Sequence, residues 1–189
     1  MTLRADTLSG LRWVAGAKLL GQVVTWGITI VVMRILSPED YGVLAMATVL
    51  VAFLAMMAQF GVGAAAVQAA DMDDGKLRQI FGLVILINSS LFLLLFLTAP
   101  LVGWFFEEPR LVAIIRVLGL QFVLMMFSVI PSSQLSRKLD FKGQSLVELS
   151  GAIASSLTAL ASALAGLGVW SLVWASLVME AWRGAGLNI

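Results

Sequence analysis

The sequence predicts an all-α, polytopic integral membrane protein, a bundle of six transmembrane helices, and three observations carry that expectation. Sixty per cent of its 189 residues are hydrophobic and only 12% are charged, with a mean hydropathy of +1.00, whereas a soluble domain carries about 25% charged residues. The apolar residues run in long blocks, and a block of roughly 20 crosses a bilayer as a helix. Short polar stretches separate the blocks, leaving little length for a soluble domain.

The blocks place one transmembrane helical domain over residues 1–189, with spans at about 11–35, 42–67, 80–106, 111–131, 144–167 and 169–182. The first block carries Lys18 and is followed by no small-residue cleavage site, so it stays as a helix rather than being removed as a leader. It ends in RILSPEDYG at 34–42. There Ser37 can cap a new helix, Pro38 suits its first position, and Glu39 and Asp40 sit where the helix dipole favours acids. Ser37 to Asp40 is also an S-x-x-D capping box, so the stretch reads as a turn between two helices. Three further polar stretches separate the later spans: QAADMDDGKLRQ at 68–79, EEPR at 107–110 and SSQLSRKLDFKG at 132–143.

Lys and Arg set the expected orientation. With the N-terminus inside, cytoplasmic segments hold Arg4, Arg12, Lys76, Arg78, Arg137, Lys138, Lys142 and Arg183, against Arg34 and Arg110 outside. That asymmetry predicts both termini in the cytoplasm.

Composition also excludes function classes. A net charge of +1 without a long basic cluster gives no case for nucleic acid. Zero Cys and zero His remove disulfides, thiolate or imidazole metal sites, Cys or His nucleophiles and a histidine relay. No enzyme, metal or cofactor is expected.

Two spans carry polar faces. In the first, Lys18, Gln22, Thr25 and Thr29 fall at i, i+4, i+7 and i+11, on one side of a helix. In the fifth, Gln144, Glu148, Gly151, Ser155, Thr158 and Ser162 repeat the pattern. Interhelical hydrogen bonding explains Ser and Thr alone. Ionisable groups inside spans mark substrate or ion paths instead, which brings in Lys18, Glu148 and, nearer the exterior in the fourth span, Arg116. The substrate-path candidates are therefore Lys18, Gln22, Thr25, Arg116, Glu148 and Ser155. Lys18 and Glu148 lie at depths that allow an ion pair, while Glu180 and Arg183, at i and i+3, read as a mutual pair and not as a site.

Three other features read as structural. DMDDG at 71–75 fails as a calcium loop, because Gly82 stands where the closing Glu belongs. The Met residues at 46, 56, 57, 125 and 126 read as packing. Trp13, Trp104, Trp170, Trp174 and Trp182 lie near span ends as interfacial anchors do, with Trp26 near mid-span as the exception.

Three stretches carry a resemblance. VVMRILSPEDYGVLAMATVL resembles the first periplasmic turn of the oligosaccharide flippase family, the Wzx-like polysaccharide biosynthesis proteins of the MOP superfamily. GVGAAAVQAADMDDGKLRQIFGLVI is similar to that family's second-to-third helix connection. IPSSQLSRKLDFKGQSLVE is similar to its fourth-to-fifth, with GLGVWSLV opening the sixth helix. The resemblance implies a transporter that moves an undecaprenyl-pyrophosphate-linked oligosaccharide across the bacterial cytoplasmic membrane during O-antigen, capsule or exopolysaccharide assembly. It implies a cationic cavity as the working surface, to which Lys18 and Arg116 are assigned by position and charge. Family members carry about a dozen helices in two lobes. The chain is therefore expected to be the N-terminal six-helix lobe, a fragment or a half that needs a second lobe or a homodimer. A non-transporting scaffold or truncated remnant, and half of a multidrug or cation antiporter, are the rival readings.

Overall fold

The structure is a computed structural model that describes residue 19 and residues 21–68, 74–137 and 141–186. Among these residues it is all-helical: α1 (Gly21–Ile35), α2 (Pro38–Gln68), α3 (Asp74–Phe105), α4 (Arg110–Arg137), α5 (Phe141–Leu164) and α6 (Trp170–Gly186). Three segments, Pro38–Met57, Phe81–Phe105 and Ser145–Leu164, are long and apolar enough to cross a membrane. Several helices overrun the apolar blocks: α3 starts at Asp74 rather than 80, and α4 runs to Arg137 rather than 131. Polar residues there extend the helix beyond the hydrocarbon requirement. α6, expected from its apolar block to end at 182, continues to Gly186.

The first turn forms where the cap residues place it. The chain leaves helix at Leu36 and Ser37 and re-enters at Pro38, with Glu39 and Asp40 in the first turn of α2. Proline suits that position because its missing N–H would have had no helical acceptor.

The helices group into two compact units, one joining α1 with α5 and α6, the other Pro38–Ile130. In the second unit, α3 divides cleanly by face. Val84, Asn88, Leu95 and Ala99 are buried, while Leu86, Leu93, Leu97 and Leu101 stand more than half exposed. Apart from Asn88, whose amide donates to Val84 O at 2.9 Å, both sides are apolar, as suits a helix between lipid and protein. On α4, Leu111, Ile114, Ile115, Leu118 and Phe122 make a fully buried stripe at helical spacing. In hydrocarbon these contacts gain close packing rather than release from water, so fit decides their worth.

EEPR is more specific than a polar loop. Glu107 adopts φ 54°, and Glu107 N and Glu108 N donate to Trp104 O (3.3 Å) and Gly103 O (3.0 Å), closing α3 in the pattern that glycine usually completes. Glu108 then caps α4, accepting from Arg110 N at 3.2 Å with Pro109 between them. The Arg110 guanidinium grips both Glu108 oxygens, at 2.8 and 3.0 Å, and also pairs with Glu39 at the start of α2. Its hydrogen bonds hold the Glu108 carboxyl below the ordinary carboxylate range, and the two acids raise Arg110 in turn. In the other unit, α5 closes in the same way with Gly166 at φ 77°, Gly166 N donating to Ala163 O and Leu167 N to Ser162 O.

Candidate functional site

The first unit contains a cavity of about 300 Å³ walled by three helices. α1 contributes Gly21, Gln22 and Thr25; α5 contributes Ser145, Glu148, Leu149 and Ala152; α6 contributes Met179 and Arg183. The sets fall at i, i+1 and i+4 for α1, at i, i+3, i+4 and i+7 for α5 and at i and i+4 for α6, each on one side of its helix. Gly21 lets α1 approach α5 closely, since a Cβ there would overlap Leu149 Cδ1. Gly151 admits Trp182 and Met179, and Gly186 admits Val147, so α5 and α6 also approach closely.

The polar groups in the walls are complementary. Glu148 offers a carboxylate acceptor, Gln22 an amide that donates and accepts, Thr25 and Ser145 hydroxyls, and Arg183 a guanidinium. Arg183 Nη1 donates to Glu180 Oε1 at 3.2 Å, which realises the i, i+3 pair expected from sequence. Its Nε is buried and has no hydrogen-bond acceptor. The cavity therefore presents both signs of charge with donors and acceptors interleaved, a surface suited to hydroxyl-rich groups more than to a bare anion. Among the described residues no cluster of His, Cys, Asp and Glu is arranged to hold a metal ion.

Of the six path candidates, Gln22, Thr25 and Glu148 come together in this cavity. Lys18, and with it any pair with Glu148, lies outside the described residues. Ser155 bonds to a neighbouring helix instead, its Oγ donating to Ala175 O on α6 at 2.7 Å. Arg116 belongs to the second unit, where it contacts Phe96. Arg183 and Ser145 are polar lining groups that sequence reasoning missed, and Arg183 carries the charge. Its pairing with Glu180 was visible in the i, i+3 spacing, but its neighbours Gln22 and Glu148 lie on helices remote in sequence, so no local signal pointed to them.

Comparison with known proteins agrees with this membrane bundle. The chain is 26% identical over 172 residues to the lipopolysaccharide biosynthesis protein WzxC of Escherichia coli (strain K12), covering 86% of this chain and 33% of that protein. It is 27% identical over 176 residues to the succinoglycan biosynthesis transport protein ExoT of Rhizobium meliloti (strain 1021), covering 91% and 36%. It is 27% identical over 97 residues to the teichuronic acid biosynthesis protein TuaB of Bacillus subtilis (strain 168), covering 51% and 20%. The chain thus spans about a third of the length of the first two relatives. No solved structure matches it. Residues 31–188 match the family described as polysaccharide biosynthesis protein, and the chain belongs to that family.

Proposed function

We propose that this chain takes part in moving a lipid-linked oligosaccharide, carried on undecaprenyl pyrophosphate, across the bacterial cytoplasmic membrane for O-antigen, capsule or exopolysaccharide assembly. The observation that carries the reading is the mixed cavity of Gln22, Thr25, Ser145, Glu148 and Arg183, built into apolar helices of a chain in this family. Sugars and pyrophosphate cannot cross hydrocarbon unaided, whereas the polyprenyl tail is at home there. A protein that lines a polar route solves only the polar half of the problem, which is what interleaved donors and acceptors supply. Lys18, four positions before Gln22 in the sequence, is assigned to the anionic head group.

In this reading both termini face the cytoplasm and the six helices act as one transmembrane domain. A second six-helix bundle, from a partner or a second copy, completes the alternating-access machine. Relatives are named as biosynthesis and transport proteins, which supports a transporter rather than an enzyme. The test is surface glycan in a flippase-deficient host supplied with this chain and, where needed, a second bundle, normalised to membrane protein. Glu148→Gln and Arg183→Gln are expected to cut export at least several-fold with unchanged protein levels. Export at the wild-type level from the double variant would reject the cavity as the route.

A further inference from the structure

α3 carries a proline inside the helix, Pro100. Proline has no N–H, so the carbonyl four residues earlier, that of Phe96, loses its helical donor. Within hydrocarbon bulk water is absent, and a neighbouring helix is one of the ways a spanning helix re-satisfies the freed carbonyl. The neighbour is α4. Arg116 Nε donates to Phe96 O at 3.4 Å, a long bond, and the guanidinium carbon lies 4.5 Å from the centroid of the same residue's ring. Cation and ring attract, and the N–H meets the carbonyl that lacks a donor.

Helical spacing puts Arg116 there. Val112, Arg116 and Gly119 recur at i, i+4 and i+7 along α4, and all three face α3. A Cβ on Gly103 would stand 2.6 Å from Val112 Cγ2, and one on Gly119 would stand 3.2 Å from Phe92 Cδ2. The antiparallel pairing runs 103 with 112, 96 with 116 and 92 with 119, so Arg116 occupies the middle of the α3–α4 seam. Phe92 and Phe96 themselves touch, with ring centroids 6.0 Å apart.

We propose that Arg116 is a positioning residue, whose guanidinium satisfies the carbonyl that Pro100 frees and thereby holds α3 and α4 in register. Its charge then serves the bundle, and the anionic role assigned to it by position falls away.

The test is a double-mutant cycle on the full chain in detergent, read as the unfolding midpoint, with Arg116→Gln and Pro100→Ala as the two changes. Arg116→Gln lowers the midpoint in the wild-type background. Pro100→Ala returns an amide donor to Phe96 O, so Arg116→Gln in that background lowers the midpoint by less than half as much. Arg116→Lys keeps a cation over the ring but loses the Nε geometry, and falls between the two. Equal shifts in both backgrounds overturn the proposal. Should Arg116→Gln fail to accumulate in the membrane, recovery of the protein on adding Pro100→Ala supports it and absence of recovery overturns it. A double variant of normal stability that loses glycan export in a host where the wild-type chain exports also overturns it, because that result places Arg116 on the anion.

Discussion

Ser155 Oγ donates a 2.7 Å hydrogen bond to the carbonyl oxygen of Ala175, tying the middle of α5 to α6. Such interhelical bonds within membranes are worth about 0.6 kcal/mol on average, because the separated helices find other partners. Ser155→Ala is therefore expected to lower the unfolding midpoint slightly and leave export intact. A variant of unchanged stability that has lost export would return Ser155 to the substrate path.

Gly151 is less forgiving. A Cβ there would lie 3.0 Å from Trp182 Cδ1 and 3.2 Å from Met179 Sδ, while Trp182 Nε1 donates to Ser150 Oγ at 3.0 Å. Gly151→Leu should separate α5 from α6 and cost about 1–3 kcal/mol, the usual range for overpacking. Tryptophan fluorescence and the unfolding midpoint both report it, and an unchanged midpoint would contradict the close approach.

The two helix-closing turns make opposite forecasts. Glu107 holds φ 54° in the left-handed region, where a side chain costs about 1–2 kcal/mol and glycine nothing. Glu107→Gly should raise the midpoint. Gly166→Ala, at φ 77°, should lower it by a similar amount. The sign of each shift is the test.

Acid should loosen the turn between α3 and α4. Hydrogen bonding to Arg110 lowers the Glu108 carboxyl in the folded chain, so this contribution is complete above the ordinary carboxylate range and fades as pH falls through the lowered value. Both groups face solvent, which keeps the effect small. From about pH 6 down to about pH 3 the wild-type midpoint should fall more than that of Arg110→Gln. Parallel profiles would mean that the ion pair contributes nothing to the turn.

Orientation has its own experiment, aided by the absence of cysteine. A cysteine at Ser37 should react with an impermeant reagent from outside, and one at Ser136 only after the membrane is opened. The reverse pattern would invert the topology.

Much of the bundle was legible because its signals are local. Ser37, Pro38, Glu39 and Asp40 mark the start of α2 by cap chemistry alone, whereas the buried stripe of Leu111, Ile114, Ile115, Leu118 and Phe122 was not legible, because Val112, Ala113, Val117 and Leu120 between them are equally apolar. The α5 stripe was also visible, yet its members do different things: Glu148 lines the cavity, Gly151 admits Trp182, and Ser155 bonds to α6. Spacing shows that residues share a face but not which neighbour each one meets. Glu107 in a left-handed conformation was illegible, since that position usually selects glycine. Arg116 left a usable trace: a proline inside a span exposes the carbonyl four residues earlier, and an arginine on the following antiparallel helix can reach it.

Because Gly21 admits Leu149 in the same cavity wall that Gln22 and Thr25 line, the azimuth of that helix decides the character of a whole wall. Advancing the sequence by one position, a twist of about 100°, would exchange Gln22 and Thr25 for Val23 and Trp26, both large apolar side chains. The polar wall would become a greasy one. Leu149 opposes that twist: it would meet the Cβ of another residue where only glycine leaves room. The interlock thus works like a key in a slot, so widening it with Leu149→Ala is expected to let α1 spin and to change which face of α1 water-soluble reagents can reach.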